Sequence, residues 1–340
     1  MQSKFSLALC IALPLAFAFP AQAKDTPEKT EIKIGAASVG ITYLPVILAK
    51  KLGYFKDEGL DVTIAAFSGG SKALEAMLGG STDLVAGAYS NTLTMAAKGQ
   101  KLVTVAAQVV CPGWIFGVSK KSADKIKTVQ DLKGKRVGVS APGSSTHMAV
   151  SYILHKGGLK PEDVSVIGVG QAAGAVAAVR QGQIDALIVN DPVATMLVTE
   201  GSLVPMDEMR TAEGNKKVFG ADYPESSILA TQAYIAKNPK TVQAVVKAIV
   251  RAEQWIAKST SQQIVENVPA EYIVDDKQLY AKAIDNSRRC IAQNGEITAE
   301  GAETVRKVLS AFDPTVGSSK IDINATYDNS FARKAVGELK

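Results

Sequence analysis

Histidine and cysteine are scarce in this chain of 340 residues, with two of the first, three of the second and no cluster of either. That excludes zinc sites, iron–sulfur clusters and haem attachment, which need such ligands close together. Aromatic residues make up only 6%. No basic block or aromatic–basic stripe occurs, so nucleic acid is not an expected partner. Lys and Arg number 38 against 33 Asp and Glu, a formal charge of +5 with the signs interspersed. Signature loops are missing too. No Gly-x-Gly-x-x-Gly opens the first strand-to-helix turn, and there is no Walker loop. No Gly-x-Ser-x-Gly elbow supports a hydrolase. No cofactor, metal or catalytic residue is expected. What is present is 46% hydrophobic and 21% charged. That suffices for a sizeable core and, at ~150 residues per domain, for about two domains.

The N-terminus reads as an export signal. Lys4 supplies a positive start, an apolar run follows from Phe5 to Phe19, and Ala21-Gln22-Ala23 is a small-x-small cleavage site. The run is too short to span a hydrocarbon core of ~30 Å, and Pro14 interrupts it. Leu9 before Cys10 is too large for the usual lipid-attachment motif. The expectation is a signal peptide over 1–23 and a mature chain that starts at Lys24, free of lipid, in the periplasm. Cys111 and Cys290 then remain. Export permits a disulfide, but a separation of 179 residues does not say whether they meet.

From Ile32 onward strand-like and helix-like segments alternate. Strands are expected at 32–37, 60–67, 84–88 and 101–110, with helices at 44–52, 72–78 and 90–97 between them. This is the pattern of parallel βαβ units. The pattern then repeats at an offset of 102: Asp61/Asp163, Val62/Val164, Ala73/Ala175, Gly80/Gly182 and Asp83/Asp185. Two similarly built α/β lobes are expected. The C-terminal third differs, with a strand at 227–235 and helices at 239–256, 278–293 and 299–311. If these helices cover the first lobe, the chain crosses between lobes near 111–118 and again near 223–230. The expected division is 24–113 with 228–340 for the first lobe and 114–227 for the second. Two crossings make a hinge, a device suited to trapping a ligand.

In open α/β sheets ligands bind beyond the C-terminal strand ends, where helix N-termini favour anions. Four loops there are rich in small polar residues: Ser38 to Tyr43, Ser68-Gly69-Gly70-Ser71, Ala88-Tyr89-Ser90-Asn91 and Gly143-Ser144-Ser145-Thr146. Their hydroxyls can cap helices or face a ligand. His147 stands near a helix start, where it either touches ligand or caps. Asn190-Asp191-Pro192 follows a strand. Asp191 is either a cap or an acceptor for an amine on the ligand. Trp114 and Tyr223, near the two crossings, are either hinge packing or flat walls for an aromatic ligand.

Several runs resemble the sulfonate/taurine/nitrate-type solute-binding proteins of ABC importers. They are Tyr43-Leu44-Pro45, Gly53-Tyr54-Phe55, Glu58-Gly59-Leu60, Ser68-Gly69-Gly70, Gly143-Ser144-Ser145-Thr146-His147 and Gly182-Gln183-Ile184-Asp185-Ala186. Tyr327-Asp328-Asn329-Ser330-Phe331 resembles the C-terminal segment. The chain also resembles the branch that binds thiamine-pyrimidine precursors. The resemblance implies the two-lobed periplasmic-binding-protein fold, type II-like, with two hinge strands. It implies a monomer that encloses a small organic anion and delivers it to an inner-membrane ABC permease. The cleft residues it implies are Ser38, Tyr43, Gly69, Gly70, Tyr89, Ser90, Ser144, Ser145, Thr146 and Asp191, to which Asn190, Trp114 and Tyr223 are added from position. Asn190 stands where the family often carries an aromatic residue, which weakens a plain sulfonate assignment. Two other functions stand beside this one. One is an enzyme on the same fold, in thiamine-pyrimidine or menaquinone-type metabolism. The other is a sensory binding protein with no importer.

Overall fold

The computed structural model describes residues 26–273 and 276–340. The expected signal peptide and Cys10 lie outside the described residues. Ten strands form two sheets: β1 (Glu31–Ala36), β2 (Asp61–Ala66), β3 (Leu84–Ala88), β4 (Leu102–Ala107), β5 (Trp114–Ser119), β6 (Arg136–Val139), β7 (Ser165–Gly168), β8 (Ala186–Asn190), β9 (Leu203–Glu208) and β10 (Ser226–Thr231). One sheet runs β2-β1-β3-β10-β4 and the other β7-β6-β8-β5-β9. The two orders are the same once the 102-residue offset is applied. β6, β7, β8 and β9 take the places of β1, β2, β3 and β4. The fourth place in each sheet goes to a strand from outside the repeat. β10 enters the first sheet antiparallel to β3 and β4, and β5 enters the second antiparallel to β8 and β9. Both sheets are therefore mixed, and the antiparallel members are the strands that follow the two crossings.

The strands are apolar on both faces, as sheets covered by helices on both sides require. Ile32, Ile34, Leu84 and Ala86 are buried in the first sheet, and Val137, Val139, Ile188 and Val189 in the second. Helix Pro239–Lys258 packs its Val242, Val245, Val246 and Ile249 face into the first core, against helices Leu44–Lys51 and Ser330–Glu338. A second cluster joins Leu93 and Val305 to Trp114 and Val137, so helix Ala299–Ser310 packs where the two halves meet. Two expected elements end early. The strand expected to reach Ile235 stops at Thr231, whose hydroxyl accepts from the Tyr234 N–H and starts helix Gln232–Lys237. The helix expected to run to Gln293 is Lys277–Ser287. Past it the chain turns at Arg288–Cys290, and Cys290 is disulfide-bonded to Cys111 with Cα atoms 4.9 Å apart. Among the described residues no helix is long and apolar enough to cross a membrane.

Candidate binding site

The C-terminal ends of the strands in the two sheets face one another. Between them lies a chamber of about 10 Å³, room for roughly one water molecule. Its walls are Ala37, Ser38, Tyr43, Gly70, Trp114, Ser140, Ser145, Thr146, Gln171, Asn190 and Glu225. A wider groove of about 750 Å³ adjoins it, sharing Ser38, Ser140 and Gln171 and reaching outward past Phe67, Pro142 and Lys72.

The repeat explains the wall. Ala37 and Ser140 are equivalent positions after β1 and β6, with Ser38 the next residue along, and Gly70 and Gln171 belong to equivalent turns after β2 and β7. Asn190 ends β8, as Ala88 ends β3. Trp114 and Glu225 come from the crossings. Helix Ser145–Lys156 starts at the chamber. The first turn of a helix leaves N–H groups with no intrahelical partner, so this wall carries a partial positive charge.

The hydroxyls of that helix start are engaged. Ser145 Oγ donates to Glu225 Oε1 at 2.9 Å. Thr146 Oγ1 accepts from the Ser140 N–H at 3.0 Å and pairs with Ser140 Oγ at 2.8 Å. Ser144 Oγ faces the other half, where it accepts from the Ser71 N–H at 3.1 Å. Glu225 is the chamber's one acid. It is buried, its Oε2 has no partner, and Tyr43 lies against it. Burial raises its pKa to about 7, and the Ser145 and Tyr43 hydroxyls oppose that rise. The Tyr43 phenol is pushed well up by burial and by the Glu225 charge. Asn190 Nδ2 donates across the cleft to Thr42 Oγ1 at 3.3 Å, while Asn190 Oδ1 has no partner.

The two halves meet closely here. A Cβ on Gly69 would stand 2.7 Å from Ser144 Oγ, and one on Gly40 2.6 Å from Asn190 Nδ2. Glycine at both places is what lets the backbones approach.

Of the residues expected at the cleft, Ser38, Tyr43, Gly70, Trp114, Ser145, Thr146 and Asn190 line the chamber. Gly69 and Ser144 form the contact between halves instead. Four expectations need correction. Tyr89 turns away, its hydroxyl 2.6 Å from Thr326 Oγ1 and its ring edge-on to Tyr327. Ser90 is buried behind the chamber, beside the Tyr223 hydroxyl. Tyr223 backs Trp114 and stacks on Phe219 with ring centres 4.2 Å apart, so it is packing rather than a wall. Asp191 has no capacity left for a ligand. It is fully buried, and its carboxylate accepts from Arg210 Nη1 at 3.1 Å, Ser287 Oγ at 2.6 Å and the Thr195 N–H at 2.8 Å. Asp191 is thus a cap and a tie between segments. His147 Nδ1 accepts from the Gly143 N–H at 3.0 Å and holds the turn before the helix.

Ser140, Gln171 and Glu225 were missed. The 102-residue offset carries the Ser68–Ser71 turn onto 170–173, which put Gln171 within reach, and Ser140 directly follows β6 as Ala37 follows β1. Glu225 lies outside the repeat and had no such signal.

This geometry has relatives. The NMT1/THI5-like family profile matches residues 41–262. The chain belongs to that family. A protein of Bordetella bronchiseptica RB50 of known structure is 44% identical, covering 93% of this chain and 99% of its own, with a TM-score of 0.90. The alkanesulfonate-binding protein SsuA from Xanthomonas axonopodis pv. citri, solved bound to MOPS, shares the fold at 21% identity and a TM-score of 0.71, covering 89% of this chain and 99% of its own. The 4-amino-5-hydroxymethyl-2-methylpyrimidine phosphate synthase of Candida albicans (strain WO-1) is 26% identical over 63% of each chain. The family member described here thus has the periplasmic-binding-protein fold, and its relatives include both binding proteins and enzymes.

Proposed function

We propose that this chain is the solute-binding component of an ABC importer, and that it encloses a small organic acid, a sulfonate or a carboxylate, between its two lobes. The observation that carries this is the chamber itself. It is polar, lies where two equivalent sheets meet, is walled by the start of helix Ser145–Lys156, and opens into the groove of about 750 Å³ that gives a solute room once the lobes part. Binding by closure needs only a site that both lobes complete. The lobes divide close to 24–113 with 228–340, and 114–227, with the second boundary moved to 225/226 because β10 enters the first sheet at Ser226. The binding residues are those on the chamber wall. Capture takes place in the periplasm, followed by delivery to an inner-membrane permease, and the Cys111–Cys290 disulfide suits that oxidising compartment.

Several charge-assisted hydrogen bonds of ~1.5–3 kcal/mol each, less the cost of association, lead to a Kd near ~1 μM. A thermal-shift screen over sulfonates, carboxylates, nitrate and pyrimidines tests the reading. A solute at 100 times its Kd adds ~2.7 kcal/mol of stability. Thr146→Val should weaken a true ligand about tenfold. Chemical turnover of a bound solute would replace this reading with the enzyme one.

A further inference from the structure

An acid held at the start of helix Ser145–Lys156 meets a difficulty at that same helix start. Glu225 already lies there, hydrogen-bonded to Ser145 Oγ. No Lys, Arg or His lines the chamber to offset a second negative charge. A simple anion would therefore approach a buried carboxylate with nothing between them, which disfavours the doubly charged state.

The partners still missing in the chamber say what would relieve this. Glu225 Oε2 and Asn190 Oδ1 are both buried and neither has a hydrogen-bond partner at bonding geometry, with the Tyr43 hydroxyl the one donor other than Ser145 beside the Glu225 carboxylate. Each residue's other polar atom is taken, Glu225 Oε1 by Ser145 and Asn190 Nδ2 by Thr42. What the chamber offers inward at these two places is acceptors. Buried acceptors are normally matched, and leaving one unmatched is costly. The solute has to bring the donors.

Resting on the solute-binding reading above, we infer that Glu225 is the specificity-determining residue of this chamber and selects solutes bearing nitrogen-borne N–H donors: a protonated amine, an amidine or a ring N–H. A nitrogen donor turns the clash with Glu225 into a charge-assisted hydrogen bond, and Asn190 Oδ1 accepts a second. Any acidic group of the same solute is then left to the N–H groups of the helix start. The role that position in the sequence offered to Asp191 falls to Glu225, because Asp191 is saturated by Arg210, Ser287 and Thr195.

The test uses the full-length mature protein at pH 8 and matched probes that differ only in nitrogen. The probes are 2-aminoethanesulfonate against ethanesulfonate, 3-aminopropanoate against propanoate, and 4-aminobenzoate against benzoate, together with the wider thermal-shift set. Calorimetry on the parent and on Glu225→Gln reads the difference, with circular dichroism and unliganded melting confirming that the variant is folded. The expected result is that solutes binding the parent carry a nitrogen donor, beat their nitrogen-free partners by tenfold to a hundredfold, and lose that advantage in Glu225→Gln. If nitrogen-free acids bind the parent as well as their partners do, and Glu225→Gln leaves both unchanged, the selection by Glu225 is overturned and solute capture stands. If no solute of any class binds the parent, solute capture itself fails and takes this inference with it.

Discussion

Replacing Glu225 by Gln should remove a defined part of the protein's pH-dependent stability, before any ligand is involved. In the folded chain burial raises the Glu225 pKa from 4.5 to about 7. The folded state thus holds the proton more tightly than the unfolded state does. Between pH 4.5 and 7 folding takes up a proton, so stability falls as pH rises through that window. Below it the group costs nothing, and above it the cost is constant. Holding the proton up to about pH 7 rather than 4.5, at ~1.36 kcal/mol per pH unit, amounts to about 3 kcal/mol. Gln has nearly the same shape, can still accept from Ser145, and never ionises. The Glu225→Gln protein and the parent should therefore differ little near pH 4.5. The variant should gain on the parent by ~1.4 kcal/mol per pH unit and level off about 3 kcal/mol ahead by pH 8. Urea unfolding followed by circular dichroism at pH 4.5, 5.5, 6.5 and 8 measures this. The difference between the two proteins cancels other titrating groups, including the buried Glu253. A difference that is flat with pH, or one that shrinks as pH rises, would refute the placement of Glu225 as a carboxyl kept from solvent.

Three further outcomes follow from the same geometry. Changing both Cys111 and Cys290 to Ala should lower the unfolding free energy by about 2–4 kcal/mol, and reducing agent should act on the parent but not on that variant. Asp191→Ala removes one of the two carboxylate partners of a largely buried Arg210, the other being Glu208, and should cost about 3 kcal/mol in urea unfolding, while Asp191→Asn should leave the preference between amino acids and simple acids unchanged in calorimetry. Gly69→Ala places a Cβ against Ser144 Oγ and should weaken solute binding tenfold or more while leaving urea unfolding of the unliganded protein close to the parent's, because its backbone is extended and unstrained.

The two-lobed plan was legible because it was written twice. Five identities at one offset were enough to pair β2 with β7 and β3 with β8, and the sheet orders follow the same pairing. The direction of β5 and β10 was not legible, since a strand's polarity in a sheet is set by how the chain returns to it and leaves no local pattern. Thr231 ended a strand that its apolar run would have carried on, because a side-chain cap outweighs β-propensity at a strand end. At the site, the loops that share the repeat placed Ser38, Gly70, Ser145, Thr146 and Asn190 on the wall. Aromatic type misled at Tyr89 and Tyr223: their rings are buried, as expected of such residues, but behind the wall rather than on it. Asp191 reads the same as a cap or as a ligand acceptor until Arg210 and Ser287, 19 and 96 residues away, are seen to fill it. Glu225 shows its character only through burial, which one sequence does not display.

A solute held in the chamber lies beside Trp114. The chain has two tryptophans, Trp114 and Trp255, and Trp255 lies on helix Pro239–Lys258, away from the chamber. In a Trp255→Phe protein the emission reports Trp114 alone. Titration with a solute that raises the melting temperature should change this emission saturably, one solute per chain, at the Kd found by calorimetry. A solute that stabilises the protein and leaves Trp114 emission unchanged would be bound elsewhere, and the account of the site would be wrong.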